Sequence, residues 1–222
     1  MERHFDDELK GLRQKLLQMA DTAQEMIGLS IKALVERKKD LTEQVFSLEQ
    51  TVNHSEVEIE EEAMRLLALR QPIASDLRLL TAILKINNDL ERVADQAVNI
   101  SETVLYLLKE PPLKPLIDIP KMASLAQTMI KNSLEAFIKQ DSALAHKVCK
   151  DDDEVDMLND QVFRELLTYM MEDPKSITRA VDLILVSRNI ERIADHATNV
   201  SEDVIFIVEG KNIKHHIQDD NQ

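Results

Sequence analysis

The sequence predicts an all-α protein: two tandem, pseudo-symmetric three-helix bundles, six long helices in all. Three observations point there. Hydrophobic residues make up 44% and charged residues 31% of the 222, with only three glycines, six prolines and 3% aromatics. That composition leaves little material for turn-rich β structure, and the chain is rich in strong helix formers. Apolar residues also recur at steps of three and four, the spacing of one helix face. Finally, one stretch occurs twice: LERVADQAVNISE at 90–102 returns as IERIADHATNVSE at 190–202. Such repetition marks an internal duplication.

Phe5 to Arg37 reads as the first helix, with Leu9, Leu12, Leu16, Met19, Ala23, Met26, Ile27, Ile31 and Leu34 on one face. Lys38 and Lys39 follow, where the helix dipole favours cations. Asp40 is expected to cap a second helix, Leu41 to about Arg70, with Glu43 as the return half of a capping box. Its apolar side holds Val45, Leu48, Val52, Val57 or Ile59, Ala63 and Leu66 or Leu67. The acidic run 56–62 reads mostly as a solvated face. Pro72 ends this helix, because the residue before a proline is pushed out of the α region. Ile73 to Lys109 forms the third, capped by Ser75 or Asp76 and about 55 Å long at the α-helical rise.

PPLKPLIDIP at 111–120 cannot continue a helix. It divides the chain into a first repeat (1–110), a proline-rich linker (111–120), a second repeat (121–210) and a polar tail (211–222). The second repeat follows the same plan. Lys121 to Lys139 is helical, and Asp141 takes the place of Asp40. Ser142 to about Met171 follows, with Val155, Leu158, Val162, Leu166 and Leu167 as core candidates. Pro174 matches Pro72, and a sixth helix runs from about Ser176 to Val208, closed by Gly210.

The formal charge of −14 argues against nucleic acid as a partner, since phosphate neutralisation needs clustered Lys and Arg. It suits bound cations or a basic protein, and equally plain solubility. The lone Cys149 excludes an internal disulfide and suggests a reducing compartment. MERHFDDELKGLRQ at the start has no apolar signal core, and no apolar run approaches the roughly 18 residues of a membrane span. A cytoplasmic protein is expected. No nucleophile–base pair, phosphate-cradling glycine loop or nucleotide fold is visible, so neither catalytic residues nor an enzyme is expected.

The duplicated stretch carries the candidate chemistry. On a helix advancing about 100° per residue, with Glu91 at zero, Asp95 lies near about +40°, Asn99 near about +80° and Glu102 near about +20°. Leu77, Leu80 and Leu84 precede them in the same stripe. The second copy places Ile177, Ala180 and Ile184 before Glu191, Asp195, Asn199 and Glu202. Both stripes start apolar and become carboxylate-lined. Carboxylates four apart repel unless a cation lies between them, and their oxygens with Asn carbonyls suit Mg²⁺, Ca²⁺, Mn²⁺ or iron. The same residues have a structural alternative: Glu91 and Glu191 pairing with arginines of neighbouring helices, Asn99 and Asn199 capping backbone groups. Arg92 and Arg192, about 100° off the stripe, are read as partners of adjacent-helix carboxylates or as surface residues. His196 points away and is not counted as a ligand. No Glu-x-x-His occurs, which excludes the ferritin-like di-iron pattern. The acidic run Asp151–Asp156 reads as a solvated face, able to add ligands if the fifth helix packs beside the sixth.

RQPIASDLR at 70–78, DLERVAD at 89–95, LLTYMMEDP at 166–174 and RNIERIADHATNVSE at 188–202 together resemble the PhoU family of phosphate-transport accessory and regulatory proteins. The resemblance covers nearly the whole chain. It implies metal binding at an E(D)xxxD motif that falls on Glu91 and Asp95 and again on Glu191 and Asp195, with iron, manganese, magnesium or zinc as the candidate ions. It further implies a homodimeric cytoplasmic regulator linking a phosphate ABC transporter to a sensor histidine kinase and holding the phosphate-starvation response off. Two other readings remain beside it: a helical-bundle metalloenzyme acting on phosphate compounds, and a metal-free helical scaffold.

Overall fold

The chain folds into six long helices, seen in a computed structural model that describes residues 2–210. The polar tail expected at 211–222, with His215 and His216, lies outside the described residues. The helices are α1 (Glu2–Glu36), α2 (Lys39–Arg70), α3 (Ala74–Leu107), α4 (Asp118–Lys139), α5 (Ser142–Glu172) and α6 (Ile177–Glu209). A single 3₁₀ turn, Pro174–Ser176, precedes α6.

The helix ends show which local signals govern. Asp141 caps α5 as expected, accepting a hydrogen bond from the Leu144 N–H at 3.0 Å. Asp40 does not cap α2. The chain turns earlier, at Arg37 (φ 55°), and Lys38 is the extended residue before the helix. Asp40 therefore stands inside the first turn, where its charge complements the dipole but its side chain is past the capping position. The same displacement affects α3: Ile73 is the extended residue, and Ser75 and Asp76 already lie in the helix. α4 begins at Asp118, so Pro120 sits in its first turn, where the missing N–H has no intrahelical acceptor to lose. Gly210 closes α6 in the left-handed region at φ 71°.

α1–α3 and α4–α6 form the two bundles, which share one continuous apolar core rather than holding one each. Their contact is made mainly by α3 and α6, the helices that carry the duplicated stretch. In that seam Lys85 meets Asp203 at 3.0 Å, and the His196 Nδ1 lies 2.8 Å from an Asp89 oxygen. Where the spacing left two core candidates, Ile59 and Leu66 are the buried ones. Val57 is 50% exposed, and in α5 Leu167 is 40% exposed whereas Leu166 is buried.

The connector is clasped at several points. Arg37 donates through Nη2 to the carbonyls of Leu107, Leu108 and Glu110, closing the C-terminal end of α3. Arg179 donates to the Pro111 carbonyl at 3.1 Å, and the buried Lys114 pairs with Glu165 on α5.

Candidate metal centres

Each half gathers acid in the seam between its second and third helix. In the first half, Glu91, Asp95 and Glu102 of α3 meet Glu49 and Glu56 of α2. Burial raises the carboxyl of Glu49 above its ordinary value, and Asp95 and Glu102 add repulsion. Burial likewise raises Glu91, with Asp95 and Glu56 contributing and Arg92 opposing. Arg92 lies 3.5 Å from Glu91 and 3.6 Å from Asp95, so its guanidinium neutralises carboxylates of its own helix, not those of an adjacent one.

In the second half, Glu191 and Asp195 of α6 face Asp152, Asp156 and Asn159 of α5. The Asn159 amide donates to Glu191 at 3.0 Å. Burial, reinforced by Asp156, Asp195, Asp153 and Glu191, pushes Asp152 up to about 7. Asp156, Glu191 and Asp195 are raised as well, burial being the main cause for each. Glu202 reaches the same seam about two turns beyond Asp195, near Cys149 of α5. Burial, with Glu202 and Asp152 nearby, pushes the Cys149 thiol up to about 11, which leaves it unreactive.

The two asparagines of the stripe behave differently. Asn99 is exposed. Asn199 donates through Nδ2 to Asp89 at 3.2 Å, across the α3–α6 seam, beside the His196 contact with the same oxygen. Both sit at the outer edge of the stripe, so a small rotation of the helix decides whether they face α2 or α5 or the sister bundle. His196 faces Asp89, as its angle away from the stripe requires.

Among the described residues, the buried Oδ1 of Asp152 has no hydrogen-bond partner, within a cluster of carboxylates whose protons are held by burial and mutual repulsion. An unpartnered buried carboxylate oxygen is costly, and a hard cation is the kind of group that would satisfy it. The donor set of carboxylate and amide oxygens fits such an ion. The side chains are strung along the helix pair: among the described residues, no three His, Cys, Asp or Glu side chains are already grouped to hold an ion.

Glu49, Glu56, Asp152, Asp156 and Asn159 extend the stripes by a facing wall, of which the Asp151–Asp156 run and Glu56, within the acidic run 56–62, stood out in the sequence, both read mainly as solvated faces. A signal for the rest was present. Aligning Val45, Val52 and Ile59 of α2 with Val148, Val155 and Val162 of α5 puts Glu49 opposite Asp152 and Glu56 opposite Asn159. Glu49 and Glu56 are about two helical turns apart on one face of α2, as Asp152 and Asn159 are on α5.

Similarity to known proteins follows the same twofold plan. The model of the PhoU domain matches residues 16–104 and again 119–204. A protein of Aquifex aeolicus named phosphate-specific transport system accessory protein PhoU homolog is 44% identical over 213 residues, 96% of both chains. The corresponding PhoU homolog 2 of Thermotoga maritima is 39% identical over 96% of this chain and 91% of its own. The crystal structure of PhoU from Pseudomonas aeruginosa superposes with a TM-score of 0.90 at 38% identity, covering 93% of this chain and all of that one. That of the phosphate transport system regulatory protein PhoU from Streptococcus pneumoniae gives 0.86 at 26% identity, covering 94% and 98%. With the domain matched in both halves and close relatives spanning almost its full length, this chain belongs to the PhoU family.

Proposed function

We propose that this protein is an accessory regulator of phosphate uptake that binds hard metal ions at its two acidic seams. The observation that carries the regulatory part is near-full-length similarity to proteins named as phosphate-transport accessory proteins, with both repeats matched. It acts as an adaptor between a phosphate ABC transporter and a sensor histidine kinase, restraining the starvation response when phosphate is plentiful, and works as a homodimer. Among the described residues, no helix is long and apolar enough to cross a membrane, so contact with a transporter would be made by protein surfaces.

The metal part rests on the acidic seams themselves. Glu49, Glu91, Asp95 and Glu102 would hold an ion in the first half. Asp152, Asp156, Glu191, Asp195 and Glu202 would do so in the second. A cation held there would supply positive charge against the repulsion within each seam and would link α2 to α3 and α5 to α6. The protein's own residues set how strongly: Arg92 competes with a cation in the first seam, and Asn159 orients Glu191 in the second.

Deleting the gene in a strain carrying a phosphate-responsive reporter tests the regulatory reading. Reporter output is expected to rise in high phosphate and to fall again on complementation. Unchanged output in high phosphate would overturn it.

A further inference from the structure

The junction between the two halves holds a cavity of about 220 Å³ that is separate from the acidic seams. Its apolar wall includes Leu34 from the end of α1, Leu107 from the end of α3 and Leu183 from α6, and the connector lines one side of it. In a chain with 41 acidic and 27 basic residues, its lining among the described residues contains three cations, Arg37, Lys114 and Arg179, and no carboxylate. Lys114 is neutralised by Glu165. Among the described residues Arg37 and Arg179 have no acidic partner: the hydrogen bonds of both go to backbone carbonyls, from Nη2 of Arg37 and Nη1 of Arg179. A guanidinium carries five N–H donors, so each arginine keeps donors and an uncompensated charge beside the cavity.

From this arrangement we infer a binding site for a small amphipathic oxyanion, a carboxylate or phosphate monoester with a short hydrocarbon body. The head group pairs with Arg37 and Arg179, and the body lies on the leucine wall. The volume equals that of about seven water molecules in the liquid, which suits a short hydrocarbon chain. Because the lining comes from both bundles and the connector, the occupied site joins the two halves. This site is independent of the metal reading.

Calorimetric titration of the full chain with hexanoate, butyl phosphate, inorganic phosphate and hexanol tests it. At least one of the two amphipathic anions should bind saturably, about tenfold or more tighter than either inorganic phosphate or hexanol, since both charge-assisted hydrogen bonds and apolar contact are needed. Whichever anion binds tighter identifies the head group. Arg179→Gln should weaken it about tenfold, and Leu113→Trp, which narrows the cavity from the connector, should do the same. Circular dichroism confirms that both variants remain helical. No saturable binding of either anion, equal binding of hexanol or of inorganic phosphate, or binding that survives both substitutions in folded protein would overturn the assignment.

Discussion

The two acidic seams descend from one duplicated unit, yet they solve the same electrostatic problem differently. In the α2–α3 seam Arg92 folds back onto Glu91 and Asp95, so part of the negative charge is cancelled internally. In the α5–α6 seam burial raises Glu191 and Asp195, and Arg192 only opposes that rise without an ion pair to either among the described residues, while Asn159 takes the Glu191 oxygen with a neutral amide. Asp156 also adds a charge where α2 has Asn53 at the equivalent position. The outcome is a more strained second seam, with Asp152 raised to about 7 and one of its oxygens unpartnered. Identical motif residues thus do not imply identical sites; the facing helix and a single arginine rotamer separate them. The second seam is expected to bind cations more tightly.

Substitutions test that inequality most severely. Asp195→Asn or Asp152→Asn should weaken Mn²⁺ binding in the second seam by about tenfold or more, since each removes a charged oxygen ligand. Competition against a fluorescent chelator measures it. Asp95→Asn should reduce affinity less, because the first seam is already partly neutralised. Removing Arg92 should narrow the gap: Arg92→Gln takes a positive charge from beside two carboxylates and should tighten the first seam several-fold, in line with pair energies of about 1–4 kcal/mol at such distances. Unchanged affinity in Arg92→Gln would show that its ion pairs are too solvated to matter.

The pH dependence carries a definite sign. Asp152 has a folded-state value of about 7 against an unfolded value near 3.8. Between those limits the folded chain binds more protons than the unfolded one, so stability of the cation-free protein falls as pH rises through that window. Thermal melts should show a lower midpoint at pH 8 than at pH 5, a difference that Asp152→Asn reduces and added Mn²⁺ offsets. The smallest effect is expected at the α3–α6 seam, where the same inequality recurs. Asp89→Ala, which deprives His196 and Asn199 of their acceptor, should cost about 1 kcal/mol more than Asn189→Ala at the equivalent position, by denaturant unfolding.

Much of this was legible in the sequence, and the exceptions have physical causes. Six helices and their duplication follow from apolar period and from repeated residues. The stripe residues Glu91, Asp95, Glu191 and Asp195 were found because helical angle is fixed by residue number. Of the two expectations for Arg92, exposure at the surface agrees with the structure, whereas its carboxylate partners lie on its own helix, because an angle describes where a side chain starts and a long flexible one can turn back. Glu49 lay hidden, and Glu56 was read with the solvated run 56–62, because an acidic residue on a half-buried seam has the same local pattern as one on a wet face. Only the packing of α2 on α3 tells them apart. Asp40 failed as a cap while Asp141 succeeded because the left-handed turn falls at Arg37 in one half and at Gln140 in the other. That turn stands three residues before Asp40 and immediately before Asp141.

The most direct test of the unequal seams is anomalous diffraction from crystals soaked in Mn²⁺ below saturation. The account predicts a manganese peak first between α5 and α6, near Asp152, Glu191 and Asp195, with the α2–α3 seam filling only at higher concentration. A peak appearing first beside Glu91 and Asp95, or none in either seam at saturating Mn²⁺, would contradict it.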